Sequence, residues 1–186
     1  MSALHTLVEQ AYEQAKTGNL DNLLSEWREL PILARRCSRY QKEGSGWTFL
    51  HQAAYFGHEI ACRELISLGA DIGAISSTGM TPIQVSTDKD HPALAALLQR
   101  ALQDRNSLWA PSSDPDLRPS SNAWDEAVKR YSSEAFLVAY AGGVVKVLVG
   151  STFYVDSLNR ILIGWHGTFD PPRDMAGEPL LPRTFS

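Results

Sequence analysis

The chain has 186 residues, 44% of them hydrophobic and 20% charged, an ordinary globular balance that allows one large domain or two small ones. Its net charge is −4 and it has no basic run, which makes nucleic acid and acidic membrane surfaces poor partners. The two cysteines, Cys37 and Cys62, form no Cys-x-x-Cys pair, and no His/Cys set has zinc spacing, so no metal or other cofactor is expected. They read as small buried hydrophobes in a reducing compartment. Glu9, Gln10 and Glu13 stand where a signal peptide needs an apolar core, and no apolar run approaches the roughly 18 residues of a membrane span, so a cytoplasmic location is expected.

In chain order, Leu4, Leu7, Val8, Ala11, Tyr12 and Ala15 predict an amphipathic helix over 3–17, stopped by Gly18-Asn19. Leu20, Leu23, Leu24 and Trp27 predict a second helix over 20–30. Pro31 starts or kinks a further helical segment, because it lacks an amide proton but fits a first turn. Residues 31–42 hold Arg35, Arg36, Arg39 and Lys42, the one local basic cluster, which is either a solvated face or an edge of a surface for an acidic partner.

From Gly46 the sequence runs Gly-Trp-Thr-Phe-Leu-His-Gln-Ala-Ala-Tyr-Phe-Gly-His, then Leu-Ile-Ser-Leu-Gly-Ala-Asp up to Asp71. About 33 residues later the pattern returns: Gly79, Thr81, Ile83 and His91 answer Gly46, Thr48, Leu50 and His58. Such a period marks a stacked helical repeat. It predicts an inner helix over 49–56, an outer helix over 59–68, a finger over 72–79, and second-copy helices near 83–87 and 92–102. Gly57 and Gly69 end the first two.

These residues resemble the ankyrin repeat signature, Gly-x-Thr-Pro-Leu-His-x-Ala-Ala-x-x-Gly-His, over roughly residues 1–103. The first copy departs from it at Phe49, where the family has Pro. The second keeps Thr81-Pro82-Ile83 but has Gln84 for His, Ser86-Thr87 for the Ala pair and Asp90 for Gly. The resemblance implies an N-terminal cap over 1–40 and repeats near 46–78 and 79–103, with His51, His58 and Ala53-Ala54 in structural roles. The distance from Gly18 to Gly57 exceeds the period by about six residues, an insertion. The resemblance also implies a concave surface built from finger tips and inner helices. Its candidate partner-binding residues here are Trp47, Gln52, Tyr55, Phe56, Met80, Asp88 and Lys89. Tyr55 and Phe56 are neighbours on a helix and cannot both face the core.

Residues 104–122 are rich in Pro and Ser and read as a linker, with Leu108 and Trp109 apolar enough to pack back across the last repeat. Residues 123–186 form a separate small α+β module with no family signature. A short helix is expected over 123–132, with Trp124, Ala127, Val128 and Tyr131 on one face. Strands follow over 136–141, 144–149, 152–155 and 160–165, with turns at Gly142-Gly143 and Asp156–Asn159. So thin a core is expected to dock on the repeats or on another chain. A possible ligand loop holds Asp156, Arg160, Trp165, His166 and Asp170. His166 could be a general base held by Asp156 or Asp170. No nucleophile motif or phosphate loop accompanies it. Asp156 and Asn159 also suffice as turn formers.

The expected fold is mainly α, a short ankyrin-type stack followed by a small α+β module with an antiparallel meander. The expected function is a non-enzymatic adaptor or inhibitor that binds another protein through the concave face. The alternative is a C-terminal enzyme or ligand-binding domain targeted by the repeats. A free edge of the C-terminal sheet could also pair with its twin in a homodimer.

Overall fold

The structure is a computed structural model that describes residues 2–103, 108–164 and 167–181. The chain divides into two units, residues 1–103 with 113–115, and residues 104–112 with 116–186.

The first unit contains seven helices among the described residues. Helix α1 (Ala3–Lys16) starts where the Ser2 hydroxyl accepts from the His5 amide, and it buries Val8, Ala11, Tyr12 and Ala15. Helix α2 (Leu20–Glu29) buries the Leu20, Leu23, Leu24, Trp27 stripe. Helices α4 (Phe49–Tyr55) and α5 (Glu59–Leu68) form the second pair, α6 (Pro82–Asp88) and α7 (Pro92–Gln103) the third. Helix α4 packs between α1 and α6, so α1, α4 and α6 form the inner row. The Ala53-Ala54 pair has no exposed surface, which lets these helices approach closely.

The insertion is a helix, α3 (Pro31–Arg39), with Pro31 in its first turn. It packs on α1, α2 and α5, and it explains the departure at Phe49. The Phe49 ring is 1% exposed and lies 5.4 Å from Tyr12, 5.9 Å from Trp27 and 5.9 Å from Tyr40, the residue that ends α3. A proline could not fill that space, and a large aromatic side chain does. Nor is the basic cluster simply a solvated face. Arg39 is part-buried and donates to the carbonyls of Leu68, at the end of α5, and of Asp114. Burial lowers its pKa, with Asp114 acting in the opposite direction. Arg36 is exposed.

In the second unit, strands β1 (Leu117–Arg118), β4 (Phe136–Tyr140) and β5 (Gly143–Val147) form one sheet in the order β1-β4-β5. Strands β2 (Ser120–Ser121), β7 (Ile161–Leu162), β6 (Thr152–Val155) and β3 (Val128–Tyr131) form a second, ordered β2-β7-β6-β3. The β1–β4 and β2–β7 pairs are parallel, the rest antiparallel. Residues 117–121, which composition assigns to the linker, thus supply a strand to each sheet. Pro119 stands where the chain passes from one to the other. Val138, Val147, Phe153, Val155, Ile161 and Ile163 make the core.

Three local expectations are corrected. Residues 123–132 are not a helix: Trp124–Glu126 is a single 3-10 turn, and Val128–Tyr131 is strand β3, in register with Val155–Thr152 of β6. A ten-residue helix is marginal by itself, and here the strand partner decides. Val128 and Tyr131 are 44% and 70% exposed, so their spacing never marked a core face. The β4–β5 loop is Ala141-Gly142 rather than Gly142-Gly143: both have positive φ (53° and 74°), and Tyr140 pairs with Gly143. Strand β5 pairs with β4 and strand β6 with β3 and β7, so the strands form two sheets rather than one continuous meander.

Candidate functional site

On the inner row, the starts of α4 and α6 are each built by a threonine, Thr48 and Thr81. The Thr48 hydroxyl accepts from the His51 amide, and the Thr48 amide donates to His51 Nδ1 at 3.1 Å. That leaves the ring proton on Nε2, which donates to the Met80 carbonyl at 2.9 Å and ties α4 to the next finger. Burial lowers the His51 pKa, with the Met80 bond and Asp71 acting the other way. In the third repeat Gln84 does the same work, its Oε1 accepting from the Thr81 amide at 2.9 Å. His58 is likewise held structurally, with Nδ1 accepting from the Ala61 amide and Nε2 donating to Asp21 at 2.9 Å. Neighbouring fingers are joined where the Ser77 amide donates to the Ser45 carbonyl and Gln41 to the Ile75 carbonyl.

The predicted concave residues form a connected strip for the most part. Trp47 is half-buried, its ring 5.4 Å from His51 and 6.1 Å from Tyr55. Tyr55 is 37% exposed, and the Lys89 ammonium sits over its ring at 4.5 Å. Phe56, 40% exposed, touches Tyr55 edge-on, and a Cβ at Gly18 would lie 2.9 Å from its ring. Both neighbours are therefore exposed, and neither faces the core. Met80 is half-buried with its carbonyl on His51, and Asp88 is exposed.

Gln52 departs from the pattern of an exposed contact residue. It is 8% exposed and donates to the Tyr12 hydroxyl at 3.0 Å. Beside it lies a groove of about 420 Å³ between Tyr12, Lys16, Lys42, Ser45, Trp47 and Gln52. Tyr12 and Lys16 were missed in the sequence as surface residues, whereas Lys42 belongs to the basic cluster offered there as an edge of a binding surface. The signal for the first two was the i, i+4 spacing on α1, once α1 is taken as an inner helix rather than as a plain cap.

In the second unit the 156–170 residues do not gather into a catalytic site among the described residues. Asp156 is 2% exposed, and its Oδ1 accepts from the Leu158 and Arg160 amides, both at 2.9 Å. Its Oδ2 accepts from Arg160 Nε at 2.8 Å, so this pair closes the 156–159 turn. Asp170 is exposed, and Trp165 and His166 lie outside the described residues. Leu108 and Trp109 are engaged within this unit: the Ala141 amide donates to the Leu108 carbonyl, and Trp109 packs on Tyr140. Among the described residues no group of acidic, His or Cys side chains could hold a metal, and no helix is long and apolar enough to cross a membrane.

Residues 10–107, just over half of the chain, match the family described as ankyrin repeats in 3 copies. The chain belongs to the ankyrin repeat family. The matched span begins within α1 and takes in the α4/α5 and α6/α7 pairs. Among curated proteins, this ankyrin chain is 30% identical over 98 residues to the ARF GTPase-activating protein Git of Drosophila melanogaster, covering 53% of the chain and 13% of that protein. It is 32% identical over 113 residues to the human ARF GTPase-activating protein GIT1, covering 59% and 14%. It is 34% identical over 79 residues to the calmodulin-binding transcription activator 4 of Arabidopsis thaliana, covering 39% and 8%. The chain thus spans only 8–14% of the length of these relatives. Ankyrin repeats are a protein-interaction module and carry no catalytic chemistry of their own.

Proposed function

We propose that this chain is a non-enzymatic adaptor or inhibitor that binds another protein through the face formed by its fingers and inner helices. The observation that carries this reading is the strip Trp47–Tyr55–Lys89 with the adjoining groove. It presents half-exposed aromatic rings and a cation on rigid elements, the composition of interface anchors. Trp47, Tyr55, Phe56 and Lys89 are the expected direct contacts. Gln52 contributes at the groove floor, with Met80 and Asp88 on the adjoining third repeat. The named activities of the relatives are not transferred, since only a small part of each is matched. A cytoplasmic site of action goes with this reading, as does the absence of nucleic acid and membrane partners. The free edges of β3 and β5 offer a route to a homodimer, which light scattering on the purified chain would detect.

The test is capture of partners on the immobilised full chain and on Trp47→Ala/Tyr55→Ala, with Ile60→Ala on the outer helix α5 as control. Ile60 is 63% exposed, so its loss should leave the fold intact. A partner held by the parent and Ile60→Ala, and weakened at least about tenfold by the double variant at unchanged melting temperature, is the expected result. A partner lost with Ile60→Ala and indifferent to the double variant would place binding on the other face.

A further inference from the structure

The second unit has its own aromatic cavity, of about 520 Å³, on the scale of ligand pockets. Trp109, Trp124 and Tyr140 wall it, with Ile163, Pro172 and the Asn122 side chain completing the lining described here. All three rings are half-exposed. In a module this small, neither tryptophan belongs to the core, which is aliphatic apart from Phe153. Instead each ring is held from behind. Trp124 Nε1 donates to the Ile163 carbonyl at 3.3 Å, and its ring packs on Tyr154 at 5.7 Å. Trp109 meets Tyr140 nearly edge-on, 6.0 Å between centroids at 68°, and its neighbour Leu108 is bonded to the β4–β5 loop. Tyr140 is backed by Gly167, where an added Cβ would come within 3.0 Å of the ring. The walls are thus set in place before any ligand arrives, which lowers the cost of ordering on binding.

We propose that this cavity binds a proline-rich, extended segment of a partner protein. No charged residue is among the described residues that line it, so an anionic ligand would lose its hydration without return. The polar groups in the lining are uncharged: the exposed Asn122 amide, the Tyr140 hydroxyl and the indole N–H of Trp109, since that of Trp124 is already bonded. The occupant must therefore bring flat apolar surface and few donors that need partners. A proline segment in the polyproline II form fits: its rings stack on aromatic faces, prolines have no amide proton, and the backbone carbonyls stay free to accept from donors such as Asn122 and Trp109 Nε1. A peptide added as a strand would need a sheet edge. The lining instead comes from the ends of β4 and β7 and from three loops. Pro172 already lies in this surface, so a proline ring is compatible with it. The inference is independent of the face proposed for the repeats.

The test uses the full chain labelled with nitrogen-15, with indole N–H signals read by NMR. The probe is a deca-proline peptide, and a Gly-Ser peptide of the same length is the control. The expected result is a saturable shift of the Trp109 and Trp124 signals with deca-proline alone. Asn122→Ala should weaken it about fivefold, the loss of one hydrogen bond. Tyr131→Ala, on the exposed strand β3, should leave the affinity unchanged, as should Trp47→Ala. Absence of any shift at millimolar peptide would overturn the proposal, as would an equal shift with Gly-Ser. A shift given by trimethyl-lysine but not by deca-proline would also overturn it, assigning the rings to a cation instead.

Discussion

Asp90 stands at the helix end where Gly18 and Gly57 stand in the earlier pairs, and it takes the same left-handed conformation, φ 61° against 81° and 65°. A side chain there costs on the order of 1 kcal/mol, less for Asp than for most residues. Asp90→Gly should therefore stabilise the repeats by about 0.5–1 kcal/mol, seen as a higher urea midpoint at unchanged slope. A lower midpoint would mean that the carboxylate has a role at the start of α7. His51 sets a second expectation. Its pKa is lowered from 6.5 in the folded chain, chiefly by burial, so the folded state resists the proton that the unfolded chain accepts. Above about pH 6.5 both states hold it neutral and its contribution is complete; stability is then lost as pH falls from there through the lower folded value. Gln84 closes the same capping box without a titrating group. His51→Gln should accordingly flatten the decline in urea midpoint between about pH 7.5 and about pH 5. An unchanged pH profile would assign that decline to other groups.

At the scale of elements, α3 is the feature that makes this stack differ from a plain repeat array. Its presence was legible as excess length and a leading Pro31, but its role was not, because that depends on contacts distant in sequence. Phe49 is the link: it replaces the family's proline and fills the space among Tyr12, Trp27 and Tyr40. Phe49→Ala should cost about 3–5 kcal/mol, a sharp fall in melting temperature. A cost below about 1 kcal/mol would show that the α3 contact is dispensable. The buried thiols are consistent with such a closed interior. Cys37 and Cys62 are fully buried, and burial pushes both up to about 12, so neither is a reactive thiolate. The second unit was harder to read. Strands of two residues, such as Leu117–Arg118 and Ser120–Ser121, leave no periodic trace. The Trp124, Ala127, Val128, Tyr131 spacing fits a helix until β6 supplies a pairing partner.

For the whole molecule, the 33-residue period made the family and the helix pairs legible, because each repeat buries its apolar face only against the next and so must keep the same pattern. The concave strip followed from that register: Trp47, Tyr55 and Lys89 fall together because finger and inner helix recur in phase. The groove did not, since Tyr12 and Lys16 precede the recognisable copies. The cavity of the second unit joins Trp109, Trp124 and Tyr140, which no local motif connects. The most direct test of the account is site-specific photo-crosslinking in the native cell, with p-benzoylphenylalanine placed in turn at Tyr55 on the inner helix and at Ile60 on the outer one. The account predicts a discrete protein adduct from position 55 and none from position 60. Adducts from position 60 alone would contradict it, and would move the binding surface of this ankyrin chain to its outer helices.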